Sequence, residues 1–91
     1  MSKILYTMVF DYTGGTYISQ VAAESPKAAI IDWAAVATEQ DLSTWKLTRE
    51  ELAQLSEDKP SPMENCLNVW CASSSTDGGL MLLNIVATKT G

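Results

Sequence analysis

The stretch from Ile4 to Ala37 narrows the possible folds more than any other part of the chain. Ile4-Leu5-Tyr6-Thr7-Met8-Val9-Phe10 is dense in β-branched and aromatic residues, which fit a pleated surface. The reading places a strand over Ile4 to Tyr12. Gly14 and Gly15 follow, two residues free to take the positive φ that a tight hairpin turn requires. Thr16 to Ala23 then returns as the partner strand. Ser25 suits the cap of a helix, because its hydroxyl can accept an amide of the first turn. Pro26 suits the first helical position, where no donor is needed. Ile30, Trp33, Ala34 and Ala37 recur at i, i+3, i+4 and i+7, one apolar helix face. That face must bury against something, and the hairpin is the nearest surface.

The remainder reads as follows. Thr38 to Thr44 is polar and is expected to be a loop, with Leu42 and Trp45 anchoring it. Thr48 and Glu51 make a capping box, and Leu47 with Leu52 matches a hydrophobic staple. A short helix is expected over Arg49 to Glu57. Pro60 and Pro62 end it and favour an extended connection. Glu64 to Ala72 and Leu80 to Thr88 read as strands, with Ser73 to Gly79 as the turn between them. The tail from Thr88 to Gly91 is expected to fray.

These elements predict an α+β fold in the order β-β-α-α-β-β. The chain, residues 1–91, is a single domain. Its architecture is a two-layer sandwich, a four-stranded, mainly antiparallel sheet with two helices on one face. The strand order is left open, with pairing of the first and last strands among the options.

The strands alternate poorly for a sheet with one wet face. Ile4, Tyr6, Met8, Phe10 and Tyr12 share one side of the first strand, and Leu5, Thr7 and Val9 the other. Leu80, Leu82, Asn84 and Val86 oppose Met81, Leu83 and Ile85. A large exposed apolar patch on a soluble protein marks an interface. Tyr6, Met8, Phe10, Tyr12 and Trp70 are therefore the candidate interface, for a protein partner or for self-association as a homodimer. The alternative is that the segments 38–46 and 57–64 wrap round and cover the second face.

Composition removes several function classes. The chain has no histidine, hence neither the commonest general base nor the commonest metal ligand. No nucleotide loop is present, because Gly14-Gly15 precedes a strand and lacks the required lysine spacing. The reading is non-enzymatic, with no catalytic residue, no metal and no cofactor. A formal charge of −5 with scattered basic residues disfavours nucleic acid. It suits either a basic partner or solubility alone. No apolar run is long enough for a membrane span, and no leader pattern stands at the start, so the cytoplasm is the expected location. Cys66 and Cys71 are read as ordinary buried cysteines, pointing to opposite faces of one strand, with no disulfide. Asn68 and Asn84 fall inside apolar strands and would need partners if buried. They could face each other across the hairpin. With Trp33 and Trp45 they form a candidate polar pocket between helices and sheet, which would serve a small-molecule-binding or regulatory domain.

The run Tyr6-Thr7-Met8-Val9-Phe10-Asp11-Tyr12, with Gly14 to Gln20 and later Asn68-Val69-Trp70-Cys71, resembles small bacterial proteins that lack a characterised function. That resemblance covers nearly the whole chain and brings no catalytic motif. The strand-Gly-Gly-strand-helix start is similar to HicB-type antitoxins, except that here the helix follows the second strand with no third strand between. The expected function is a protein-interaction module, in its most specific form an acidic immunity- or antitoxin-like inhibitor.

Overall fold

The computed structural model describes residues 3–88; the expected fraying of the tail beyond Thr88 lies outside them. Strands β1 (Ile4–Tyr12) and β2 (Gly15–Ala23) precede helices α1 (Pro26–Val36), α2 (Glu39–Trp45) and α3 (Arg49–Ala53). A 3-10 turn (Gln54–Ser56) continues α3, and β3 (Ser61–Pro62), β4 (Val69–Thr76) and β5 (Gly79–Thr88) complete the chain. The fold is α+β, as read. The sheet has five strands in the order β2-β1-β5-β4-β3, antiparallel throughout. The extra strand is the two-residue β3 at the margin, and the first and last long strands pair at the centre.

The local signals at the start of each helix hold. Ser25 accepts the Ala28 amide at 3.1 Å with Pro26 beside it. Thr48 and Glu51 bond reciprocally, at 3.1 and 2.8 Å. The segment expected to be a loop, 38–44, is instead helical. Thr38 and Asp41 make a second reciprocal capping box, and Leu42 and Trp45, one turn apart, drive the helix into the core. Aspartate serves here where a glutamate or glutamine was sought. Lys46 ends α2 in the left-handed region at φ 58°, and the Leu47 amide reaches back to Leu42 O at 3.1 Å, as in a Schellman closure. The helix read as running to Glu57 tightens into its 3-10 turn after Ala53.

Two turns also differ. The residues with positive φ in the first hairpin are Thr13 (47°) and Gly14 (83°); Gly15 already belongs to β2. Two consecutive positive φ values define a type I′ turn, which favours Asn-Gly. A β-branched residue is strained there. Thr13→Asn is expected to raise stability by about 1 kcal/mol, and thermal unfolding of the variant against the parent checks it. In the second hairpin, Ser73 to Thr76 is strand, pairing with residues Gly79 to Leu82, so the turn is only Asp77-Gly78. The Tyr12 hydroxyl bonds Thr76 Oγ1 at 2.6 Å, and Thr76 accepts the Gly78 amide at 3.1 Å. A Cβ at Gly78 would collide with that same hydroxyl. This close approach joins β1 to the second turn.

One core lies between helices and sheet. Tyr6, Met8, Phe10 and Tyr12 of β1 and Met81, Leu83 and Ile85 of β5 meet Ile30, Trp33, Leu42, Trp45, Leu52 and Leu55. Ala29, Ile30, Trp33, Ala34 and Ala37 make the buried side of α1 and its cap. Arg49, at the start of α3, donates to Ala34 O, Ala35 O and Ala37 O at 2.7, 3.2 and 2.8 Å. It closes the C-terminus of α1, whose carbonyls have no partner within the helix.

Candidate functional site

The candidate interface read from the sequence is placed inside the core. Tyr6 is 2% exposed, Met8 and Phe10 0% and Tyr12 4%. These residues form the face of β1 on which the helices sit, so they offer nothing to a partner. The two faces of β1 both carried apolar groups in the sequence; the aromatic one has the larger area to remove from water, and it took the helices. Trp70 is half-buried, edge-on to Tyr6 at 6.1 Å. It lines a cleft of about 420 Å³ with Ser25, Pro26, Lys27, Lys59, Pro60 and Pro62.

The candidate polar pocket does not assemble. Trp33 and Trp45 stack on one another at 6.0 Å and meet Phe10 tilted and edge-on, at 5.0 Å each, filling the space a ligand would need. Asn68 is exposed and precedes β4, in the left-handed region at φ 63°. Its carbonyl accepts the Ala87 amide at 2.9 Å. Asn84 lies on the opposite side of the sheet from the tryptophans, between Val9 and Cys71 in register. The two asparagines do not face each other. Among the described residues no buried side-chain nitrogen or oxygen lacks a partner, and no three His, Cys, Asp or Glu residues converge as a metal site would require. No helix among them is long and apolar enough to cross a membrane.

The surface that remains is the face of the sheet opposite the helices. The segment 38–46 has gone to the helical side and 57–64 to the sheet margin, so neither wraps round it. Register assigns its rows. Ile18, Val9, Asn84 and Cys71 lie side by side across four strands; Thr16, Asp11, Leu82 and Ser73 form the next row, and Gln20, Thr7, Val86 and Val69 another. Val9, Leu82, Val86 and Val69 are half-buried by their neighbours, whereas Ile18 is 69% and Leu80 57% exposed. Several polar groups here already bond one another. Thr7 takes the Gln20 amide at 3.1 Å and meets the Thr88 hydroxyl, and Thr16 donates to Asp11.

What distinguishes this face is its lack of charge. Of the chain's six basic and eleven acidic residues, among the described residues only Asp11 lies on a strand. A wet antiparallel face normally carries charged side chains, and their depletion is the compositional mark of an interface centre. The sequence reading missed this, although the signal was there. No charge occurs between Asp11 and Glu24, between Glu64 and Asp77, or between Asp77 and the last described residue.

The cysteines part company with the expectation. Cys66 is exposed and lies in the loop before β4, and Cys71 is half-buried on the open face. Neither is a fully buried core residue, and both are free thiols. Burial raises the Cys71 pKa above its ordinary value, which lowers its thiolate fraction at neutral pH. A maleimide or disulfide reagent is expected to modify Cys66 at least roughly tenfold faster than Cys71, read by mass spectrometry of the labelled peptides. Burial likewise raises the pKa of Tyr6, which stays a neutral phenol.

A comparison with protein-family models, curated proteins and solved structures found no match to this chain.

Proposed function

We propose that the chain is a non-enzymatic protein-interaction module that makes its contact through the charge-poor open face and edge of its sheet. The observation that carries this is the segregation of charge. The acidic residues sit mostly on the helices and connections, such as Glu39, Asp41, Glu50, Glu51, Glu57 and Asp58, while the open face holds Val9, Ile18, Leu80, Leu82 and Val86 with neutral polar residues and, among the described residues, the single charge of Asp11, which accepts from Thr16. A solvated surface gains nothing from excluding charge, whereas a surface that loses water on docking avoids a desolvation penalty by doing so.

The inhibitor form of this reading would use the other side of the molecule. An acidic inhibitor of a basic partner would dock through the helical layer, and its binding would weaken steeply with salt. Contact through the open face would depend little on salt. The small-molecule reading loses its support, since Trp33 and Trp45 fill the space between helices and sheet.

The test is capture from lysate of the source organism by the tagged parent chain and by a Val9→Lys/Val86→Lys variant, at low and high salt. The expected result is a second, stoichiometric protein retained by the parent at both salt concentrations and lost with the variant. Circular dichroism must show that the variant stays folded. A partner that binds both forms alike and leaves at high salt would overturn the open-face reading in favour of the acidic helices.

A further inference from the structure

The two margins of the sheet are finished differently. Beyond β4, the two-residue β3 pairs at Cys71 and Trp70, and Met63 N donates to Val69 O at 2.9 Å. Pro60 and Pro62 flank and enter that strand, so the margin ends in a segment that cannot donate further. At the other margin no strand among the described residues covers β2. Its nine residues, Gly-Thr-Tyr-Ile-Ser-Gln-Val-Ala-Ala, contain no proline and no charge. Soluble proteins protect an edge of that length with lysine, proline or a bulge, and β2 has none of these: its pairing with β1 is unbroken from Gly15 to Ala23.

The hydrogen-bond phase of the edge follows from the hairpin. In a two-residue loop the flanking pair, Tyr12 and Gly15, exchanges both bonds, and alternation continues from there. Odd-numbered residues of β2 therefore bond β1. Thr16, Ile18, Gln20 and Ala22 point their amides and carbonyls outward. The same phase carried across the sheet predicts the Ala87-to-Asn68 and Met63-to-Val69 bonds, and both are present at 2.9 Å.

Those four positions are symmetric about Ser19. We propose that two copies of this chain pair along β2, antiparallel about a two-fold axis at Ser19, so that their sheets join into one. Ile18 then lies opposite Gln20 of the second copy and Thr16 opposite Ala22, and every outward amide and carbonyl of both edges finds a partner. Tyr17, 36% exposed, meets Val21 of the second copy on the helical side. A second copy is the occupant the edge itself supplies, because an antiparallel β2–β2 pairing matches each outward position with an outward position. At −5 the chain repels itself wherever its acidic surface would meet, and β2 is a long surface that brings no charge to such a meeting. The contact is about 30 Å long and on the order of 300 Å² per copy, well below the roughly 800 Å² per partner of a standard stable interface. A weak, concentration-dependent dimer is the consequence. The inference rests on the interaction reading above and names its partner for the edge.

The experiment is sedimentation of the full chain across roughly micromolar to several hundred micromolar concentrations, with amide hydrogen exchange at both ends of that range. The expected mass rises from monomer to dimer, and the Ile18 and Gln20 amides gain protection as it does, while those of Tyr17 and Ser19 are protected throughout. Gln20→Pro removes an outward amide and no backbone bond to β1, only the exposed side-chain bond to Thr7, and Ile18→Lys places a charge on each edge; each is expected to abolish the dimer over this range. Val86→Lys, on the open face away from β2, leaves it intact. A parent that stays monomeric throughout overturns the proposal, as does a dimer in which Ile18 and Gln20 exchange as fast as in the monomer. If that monomer still captures another protein through the open face, the interaction reading survives the loss of this one; if it captures none, both fall.

Discussion

Phe10→Ala is expected to lower the unfolding free energy by about 4 kcal/mol. Phe10 is fully buried at the centre of β1. Its ring contacts Tyr12 at 6.1 Å, Tyr17 at 6.4 Å and Trp33 and Trp45 at 5.0 Å each. Truncation removes its transfer free energy and leaves a cavity that large rings held by two helices and a hairpin cannot easily refill. For a domain of this length, total stability is roughly 5–14 kcal/mol, so the loss takes more than a quarter of it. Phe10→Leu separates volume from ring geometry. It keeps most of the volume and is expected to cost about 1.5 kcal/mol. Urea unfolding followed by tryptophan emission reads both, since Trp33 and Trp45 flank the site. An alanine variant losing less than about 2 kcal/mol would mean that Phe10 does not organise this cluster.

That cluster also shows why the fold was more legible than the surface. Hairpin and helix starts are local: Ser25-Pro26, Thr48 with Glu51, and the strand of Ile4 to Tyr12 each carry their own signal within a few residues. The helix at Glu39–Trp45 was missed because its signals are short-range but unconventional, an aspartate closing the box and only two apolar anchors. The length of β4 was missed because Ser73 to Thr76 has turn-like composition; only pairing with Gly79–Leu82 makes it strand. The choice of face on β1 is not local at all. Tyr6, Met8, Phe10 and Tyr12 qualify equally as core or interface until Trp33 and Trp45 are known to descend on them. The asparagines failed for the same reason, since their partners depend on the register between β4 and β5.

The strands, charged among the described residues only at Asp11, belong to neither case. They could be read from the sequence once the strands were drawn, because they are a pattern of absence: a stretch such as Val69 to Thr76 has no lysine or glutamate at any outward position. Hydrophobic alternation alone does not reveal this. On the open face, the residues between Val9 and Val86 are modest in size and half-buried by their neighbours. A search for large exposed aromatics passes over them.

Arg49→Ala is expected to cost about 2 kcal/mol, which corresponds to a midpoint drop of roughly 10 °C. The guanidinium spans the carbonyls of Ala34, Ala35 and Ala37 and so acts as the C-terminal cap of α1, which contains no basic residue in its last turn. A positive charge there also complements the helix dipole. Each bond is charge-assisted, but the side chain is 41% exposed, so water replaces part of what is lost and the total falls well below three full bonds. Arg49→Lys is expected to recover less than half, because one ammonium head cannot span three carbonyls as a planar fork does. The ion pair with Glu39, 3.7 Å away on a side chain 92% exposed, contributes little, and Glu39→Gln should leave the midpoint unchanged. Thermal unfolding of the three variants, with amide exchange over the last turn of α1, distinguishes the roles. A loss shared equally by Arg49→Ala and Glu39→Gln would assign the effect to the ion pair. A loss confined to the Arg49 variants, with faster exchange near Val36 and Ala37, assigns it to the cap that ties the start of α3 to the end of α1.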